Sequence, residues 1–230
     1  MSARRIGALA TIGFPVTFVV ADFLRIRGEA GAVGDNDTVE SILTHLAAVG
    51  SGAGPFTLAS WLFYVAALLT IPTVVFLWRV AVERSPRWAW AAAVLGACAV
   101  IGQIAHCMGY FAPLLALSGI DHSAGAEAFL ALSTHGYSLA VFMPYLIGLT
   151  FFPPAAVIAL WRAQVTPRWA AVVTVLGSIA YIPFAGPWWV TAGWAATLLV
   201  GFAPAVRLGL SAGRADARAT RPQEALSSLS

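Results

Sequence analysis

Charged residues are scarce in this sequence. Only 10% of its 230 residues are charged and 60% are hydrophobic, whereas soluble domains carry about 25% charged residues. So little polar surface cannot cover a water-soluble fold, and the composition indicates a protein whose solvent is lipid. One membrane domain accounts for the length.

Lysine is absent, so the 13 basic residues behind the net charge of +3 are all arginine. They cluster at the ends of apolar runs and form no contiguous basic patch of the kind that binds nucleic acid. No nucleic-acid partner is therefore predicted.

Cysteine is scarce as well, and both cysteines, Cys98 and Cys107, lie in one apolar run. On a single helix they are too far apart for a disulfide, and neither belongs to a Cys-x-x-Cys or Cys/His zinc spacing. The Gly-x-Ser-Gly motif of rhomboid-type serine hydrolases is also missing, because Leu117-Ser118-Gly119 lacks the first glycine. A disulfide scaffold, a zinc finger and that class of hydrolase are excluded.

Long apolar runs are what the sequence has in abundance, and most approach the ~20 residues that cross a bilayer as a helix. The predicted spans cover residues 6–24, 56–80, 88–117, 134–161, 169–184 and 188–206. Pro144 and Pro153-Pro154 are expected to break the fourth span locally. We predict an all-α, six-transmembrane-helix bundle over residues 1–207 and a disordered cytoplasmic tail over 208–230.

The first span could instead be a cleaved signal peptide, since Arg4 and Arg5 precede its apolar run. However, Asp22 interrupts the end of the run, and Gly28-Glu29-Ala30 is a poor small-residue cleavage site. We interpret it as an uncleaved span.

Two matching segments, Pro86-Arg87-Trp88-Ala89 and Pro167-Arg168-Trp169-Ala170, each separate two spans. They are predicted to form the tips of helical hairpins. On the tip side of the six-span layout lie Arg4, Arg5, Arg79, Arg84, Arg87, Arg162, Arg168, Arg207, Arg214, Arg218 and Arg221. The other side has only Arg25 and Arg27, so the positive-inside rule places both termini and both tips in the cytoplasm.

The tips recur 81 residues apart, between Trp88 and Trp169. A shift of two spans preserves direction, which would make this a parallel internal duplication. The alternative is that Arg and Trp recur only because they anchor helix ends at the membrane interface.

Two helices are predicted outside the spans. Asp37-Thr38-Val39-Glu40 has the form of a capping box with Asp37 as N-cap, and an amphipathic stripe follows it to Leu46. This indicates a short helix on the membrane surface. The loop 118–133 has room for another.

Polar side chains inside the spans are the candidate functional residues, because burying them in lipid is costly. The catalytic candidates are Asp22, His106 and His135. Helical spacing and depth bring further residues toward the same outer half of the bundle, where we expect an outward-facing vestibule. The predicted binding residues are Gln103, Tyr110, Ser138, Tyr145, Trp61 and Tyr64.

Each catalytic candidate also has a structural interpretation. Asp22 could pair with Arg25 as an ordinary surface pair, His106 could be a hydrogen-bonded packing residue, and His135 could be a wet helix end. His45 and His122 are expected to be solvated loop residues.

The same residues could in principle support specific chemistries. Haem would need His106 and His135 at matching depth, and zinc would need them together with Asp22; we predict neither a metal nor another cofactor. Acid–base catalysis by Asp22 and His106 is the best enzymatic interpretation, because a desolvated carboxylate can be tuned toward neutral pH.

The layout resembles a group of uncharacterised bacterial six-span membrane proteins of the domain-of-unknown-function kind. The resemblance covers residues 6–205. It rests on the helix 37–46 after a first span, His135-Gly136-Tyr137 opening the fourth span, the apolar run 146–152, and the second tip leading into the run 175–181. Pro153-Pro154 departs from the pattern. The resemblance implies a fold and no catalytic residues.

Together these observations predict a multi-pass protein of a bacterial plasma (inner) membrane, with the lipid bilayer as partner. We expect a non-enzymatic role, in which the vestibule binds or passes a small apolar or amphipathic molecule. Two alternatives remain open: an intramembrane enzyme that uses Asp22 and His106 on a lipid-like or isoprenoid-like substrate, and a structural or regulatory membrane subunit. The oligomeric state is left open.

Overall fold

The computed structural model describes residues 2–29, 38–120, 122–184 and 186–227, without the side chains of residues 122, 137–139, 141, 182–184 and 212–227. Within these ranges the chain is helical and contains no strand. The helices are α1 (Ala3–Gly28), α2 (Val39–Ser51), α3 (Ala53–Ala81), α4 (Pro86–His106), a π-helix (Cys107–Phe111), α5 (Ala112–Leu117), α6 (His122–Thr134), α7 (Gly136–Arg162), α8 (Arg168–Phe184) and α9 (Trp188–Ser227). The predicted all-α class is confirmed.

Five helical segments of the described chain are long and apolar enough to cross a membrane. They are Ala3–Gly28, Ala53–Ala81, Pro86–Leu117, Phe142–Arg162 and Trp188–Ser211. A sixth apolar segment, Arg168–Tyr181, is shorter. The chain is therefore a multi-pass helical membrane protein with five span-length helices and one shorter apolar helix.

Helices α4 and α7 pack closely at two glycines, because glycine has no β-carbon to hold the backbones apart. Between α4 and α7, a β-carbon on Gly102 would overlap the backbone at Tyr145, and one on Gly148 would overlap the backbone at Ala99. Two such points on one pair of helices bring their backbones together, as small residues do in membrane bundles.

Three prolines lie inside α7, which nevertheless continues as a helix through Pro144, Pro153 and Pro154. The predicted local break of the fourth span is therefore wrong. Neighbouring helices and local adjustments can satisfy the carbonyls that a proline frees, so proline need not end a helix in a membrane bundle.

The amphipathic helix after the first span is confirmed as α2, with Ile42, Leu46 and Val49 fully buried. Its N-cap is Thr38, whose Oγ1 accepts a hydrogen bond from the backbone N–H of Ser41 at 3.2 Å. The predicted cap, Asp37, lies outside the described residues. Leu46 contacts α6 near Gly125, so α2 buries its apolar face against protein.

The two predicted tips lie at the same end of the bundle, since Nη1 of Arg84 approaches the carbonyl oxygen of Ala163 at 3.4 Å. We call this the Arg84 end, and the opposite end, where α1 finishes and α8 turns into α9, the Glu29 end. The internal duplication and the disorder of residues 208–230 stay predictions.

Candidate functional site

Two charged residues in the last turns of α1, Asp22 and Arg25, form a continuous ionic ladder with Glu29, the C-cap of the helix. Arg25 donates from Nε to Oδ1 of Asp22 at 3.0 Å and contacts Oε2 of Glu29 from Nη1 at 2.6 Å. The spacings of three and four residues place all three on one helix face. The exposed fractions of these side chains are 7% for Asp22, 15% for Arg25 and 1% for Glu29, so this is a buried ladder.

Other segments of the chain complete the ladder. Thr191 of α9 donates to Oδ2 of Asp22 at 2.6 Å, and Tyr110 of the π-helix donates to Oε1 of Glu29 at 2.8 Å. Nε2 of His45, from α2, lies 3.6 Å from the same Oε1. The carbonyl oxygen of Gly186 lies 3.5 Å from Nη2 of Arg25. The ladder thus ties α1 to four other parts of the chain.

The surroundings of Glu29 keep its carboxylate ionised. Burial alone would raise the pKa of Glu29, but His45, the Arg25 guanidinium and the Tyr110 hydroxyl all favour the charged form. Together they outweigh burial and hold the pKa of this carboxyl below its ordinary value near 4.5. Glu29 is therefore a fixed negative charge, balanced in part by Arg25.

The position of Tyr110 follows from the π-helix that interrupts the third span. Pro113 has no N–H to donate to the carbonyl of Gly109, so the regular ladder cannot continue there. The N–H of Ala112 instead bonds to the carbonyl of Cys107, five residues back. Such wider turns are frequent at functional sites. Here His106 and Tyr110 stack, with ring centroids 5.1 Å apart and planes at 15°.

His106 lies between two tyrosine rings. Its second neighbour is Tyr145 of α7, at 4.6 Å and 16°, and Phe142 and Phe63 contact its edges. Its Nδ1 is buried and has no hydrogen-bond partner among the described residues. A buried nitrogen without a partner costs free energy, so a group that reached Nδ1 would gain a hydrogen bond that the protein does not supply.

The ladder and the stacked rings open on one cavity of about 270 Å³. It is lined by Phe18, Asp22, Arg25, Phe63, His106, Tyr110, Tyr145, Tyr181 and Gly186. One side is ionic and the rest is aromatic. This combination suits a small molecule with a polar group and an apolar body.

Four residues predicted from the sequence, Asp22, His106, Tyr110 and Tyr145, meet at this cavity. Gln103 faces the bundle as expected and is 2% exposed, but its side chain bonds to Thr70 of α3 at 3.4 Å instead of lining the cavity. Gln103 therefore faces the bundle as predicted, but of these two α4 residues only His106 lines the cavity.

The other predicted residues lie elsewhere. Trp61 and Tyr64 point outward from α3, with 64% and 38% of their surfaces exposed, because α3 turns Phe63 toward the cavity instead. His135 is exposed where α7 begins, so it does not join Asp22 and His106 as a third zinc ligand. The side chain of Ser138 lies outside the described residues.

His45 is buried, so the prediction of a solvated loop residue is wrong. It belongs to α2, is 2% exposed and contacts Glu29. His45 is buried because it follows Ile42 by three residues and precedes Val49 by four, spacings that place it on the buried face of α2. That spacing could have revealed its burial. The ordinary surface pair considered for Asp22 is also wrong, since its contact with Arg25 is buried.

Sequence reasoning missed further members of the site: Arg25, Glu29, Tyr181 and Thr191. The spacing of Asp22, Arg25 and Glu29 is a visible signal, because it is the pattern of an ion-paired helix face. Tyr181 stacks on Trp194 at 5.0 Å. Nothing in the sequence distinguishes Thr191 from the other threonines of the spans.

A larger cavity, of about 620 Å³, lies at the Arg84 end. It is lined by Val80, Glu83, Arg84, Ala163, Gln164, Val165, Pro204, Arg207 and Leu208. Its charged side chains are exposed, and none takes part in an ion pair among the described residues. Solvated charges are not held in place, so size alone does not make this the better candidate site.

The chain matches a known protein family. The model of a protein family described as a domain of unknown function (DUF4386) matches residues 36–206. The matched range includes α2, the π-helix, α7 and the first part of α9, and it begins after Asp22, Arg25 and Glu29. No curated protein and no solved structure matches the chain.

Proposed function

Because the chain belongs to the DUF4386 family, whose description names no activity, we propose a function from the geometry of the Glu29 end. The protein binds or passes a small amphipathic molecule through the cavity between the ionic ladder and the aromatic rings. The observation that supports this most is the buried Asp22–Arg25–Glu29 ladder opening on a cavity with aromatic walls.

The balance of charge limits the polar group of that molecule. Two carboxylates, Asp22 and Glu29, already bind the single guanidinium of Arg25. His45 adds a positive charge only when it is protonated. An anionic group would bring a third negative charge into a buried site with one permanent cation, and like charges repel strongly where water is scarce. The ligand therefore carries a neutral or cationic polar group.

The walls favour an apolar body of modest size. Phe18, Phe63 and Tyr145 offer aromatic surface, and the volume lies just below the roughly 300–1,000 Å³ of typical ligand pockets. A cationic group would also be attracted to aromatic faces. Nδ1 of His106 offers one further hydrogen bond.

The ladder supports binding better than acid–base catalysis. A general base must be free to accept a proton, but both oxygens of Asp22 accept hydrogen bonds, from Arg25 and from Thr191. His106 is fixed between two rings. The enzymatic alternative therefore has less support.

The proposal includes the six-span layout, with both termini in the cytoplasm and the Glu29 end outside a bacterial plasma membrane. In support, α8 has 17 residues, which is the lower limit for a span, and arginines gather at the Arg84 end. Single cysteines at the exposed positions Glu83 and Ala124, in a variant without Cys98 and Cys107, should label from opposite sides of intact cells. If the cysteine at Ala124 were labelled from the cytoplasmic side, the orientation would be the reverse of the one proposed.

The binding proposal is tested with three short-chain probes of equal length, an alcohol, an amine and a carboxylate. We expect the alcohol and the amine to raise the thermal midpoint of the purified protein and the carboxylate not to. Stabilisation at saturating probe follows from binding to the folded state alone.

The matched variants are Tyr145→Trp, which fills the cavity, and Trp61→Tyr, which changes an exposed ring on α3. The first should abolish the midpoint shifts and the second should keep them. Equal shifts by all three probes in both variants would refute the proposal.

A further inference from the structure

A second binding surface lies on the outside of the bundle near the Arg84 end. Arg4 of α1 and Arg79 of α3 line the same groove, of about 270 Å³, whose other residues are mostly apolar. Both arginines are exposed. None of the ion pairs and hydrogen bonds between described residues involves either side chain, and the groove contains no carboxylate.

The apolar part of this groove faces outward. Ile6, Ile71 and Val75 line it with 45%, 46% and 43% of their surfaces exposed. In a membrane protein these side chains contact acyl chains. Arg4 and Arg79 therefore lie at one end of this groove, and its apolar part extends from them toward the middle of the membrane.

Ile71 and Val75 form a ridge on α3 at the edge of this groove. A second groove, of about 230 Å³, lies on the other side of the ridge. It shares Ile71 and Val75 with the first groove, and α4 supplies its far wall with Gly96, Ala97, Val100 and Ile101. The lack of a side chain at Gly96 lets Val74 approach α4 there. Two apolar grooves thus flank one ridge of α3.

The distance along α3 between Arg79 and the ridge suits a lipid whose headgroup is bound at Arg79. Ile71 lies eight residues before Arg79, or about 12 Å along the helix. A group bound by Arg79 at the headgroup level would thus have its acyl chains beside Val75 and Ile71. A phospholipid has one phosphate and two chains, and this surface has one pair of cations and two grooves.

We propose that this surface binds one anionic phospholipid, with its phosphate between Arg4 and Arg79 and one acyl chain on each side of the Ile71–Val75 ridge. Guanidinium groups hold phosphate by charge-assisted hydrogen bonds, and basic sites near the membrane surface select anionic lipids. The inference is independent of the cavity at the Glu29 end.

The test is native mass spectrometry of the full chain released from detergent with phosphatidylglycerol or phosphatidylcholine of identical acyl chains. The wild-type protein should retain one phosphatidylglycerol in preference to phosphatidylcholine. The double variant Arg4→Gln/Arg79→Gln should lose that preference, with a fall in retained phosphatidylglycerol on the order of tenfold. Excess inorganic phosphate should not displace the lipid, because the grooves also bind its chains.

The matched control is Arg87→Gln/Arg168→Gln, which removes the same charge from exposed positions at the same end of the bundle. It should retain the preference. An equal loss in both double variants, or equal retention of both lipids by the wild-type protein, would overturn the proposal. If Arg4→Gln/Arg79→Gln does not fold, Arg79→Gln is compared with Arg79→Lys, and only the lysine variant should keep the lipid.

Discussion

The two ends of the bundle hold their charges in opposite ways. At the Glu29 end, Asp22, Arg25 and Glu29 are buried and contact one another. At the Arg84 end the arginines are exposed, and Arg84 reaches only a backbone carbonyl, at 3.4 Å. The protein fixes the first set in position, whereas the second set is exposed on its surface. Buried charges here indicate a site, and exposed charges indicate how the protein meets the membrane.

The largest effect is expected where one partner of the buried ladder is removed. Arg25→Gln leaves Asp22 and Glu29 buried without their cation, which should cost about 3–5 kcal/mol of unfolding free energy. Arg87→Gln at the other end should change little. Denaturant unfolding in detergent measures both.

The triple variant Asp22→Asn/Arg25→Gln/Glu29→Gln sharpens the same comparison. It removes every charge of the ladder, so no ion is left unpaired, and it should recover much of the stability lost in Arg25→Gln alone. A triple variant less stable than Arg25→Gln would mean that the cost is not one of unpaired charge.

A smaller loss is expected from Thr191→Val. The Thr191 hydroxyl donates to Asp22 at 2.6 Å and is 1% exposed, and hydrogen bonds to charged groups contribute about 1.5–3 kcal/mol. Thr197→Val is the matched control on the same helix, because the Thr197 hydroxyl donates to the carbonyl of Trp194 within α9 and to no other described residue. Equal losses in the two variants would contradict a special role for Thr191.

The pH dependence of stability follows from Glu29. Its folded pKa lies below the ordinary value near 4.5, so its ionised form stabilises the fold fully above that pH. The contribution is lost as pH falls through the folded pKa, with a slope of at most about 1.4 kcal/mol per pH unit. Glu29→Gln should flatten the acid limb of stability against pH, whereas Glu83→Gln should leave it unchanged.

Much of this arrangement could be predicted from the sequence. Hydropathy locates the apolar helices, and the charged tips place two turns at one end. Helical spacing joins His106 to Tyr110, and depth joins both to Asp22 and Tyr145. Each of these inferences uses residues close together in sequence or a property averaged over a whole span.

The remainder depends on contacts between distant segments. Glu29 caps α1 and His45 lies in α2, and their burial depends on the packing of α2 against the bundle. Trp61 and Tyr64 were assigned to the vestibule by depth alone, but small residues such as Ala59 and Ala66 decide which face of α3 packs inward. Sequence gives the depth of a residue more readily than the direction in which it points.

The smallest change in unfolding free energy is expected from Arg84→Gln. This variant tests whether the exposed charges of the Arg84 end contribute to stability. The bond from Arg84 to Ala163 is long, at 3.4 Å, and only partly buried, so Arg84→Gln should change the unfolding free energy by no more than about 0.5 kcal/mol. Arg84 takes part in no ion pair among the described residues. Salt therefore has no pair to screen, and the difference between this variant and the wild-type protein should be the same at low and high ionic strength. The measurement is denaturant unfolding at two salt concentrations, with Arg87→Gln as the control that lacks the bond to Ala163. A loss as large as that of Thr191→Val would mean that the Arg84 end is also held together by its charged side chains, and the distinction between the two ends would fail.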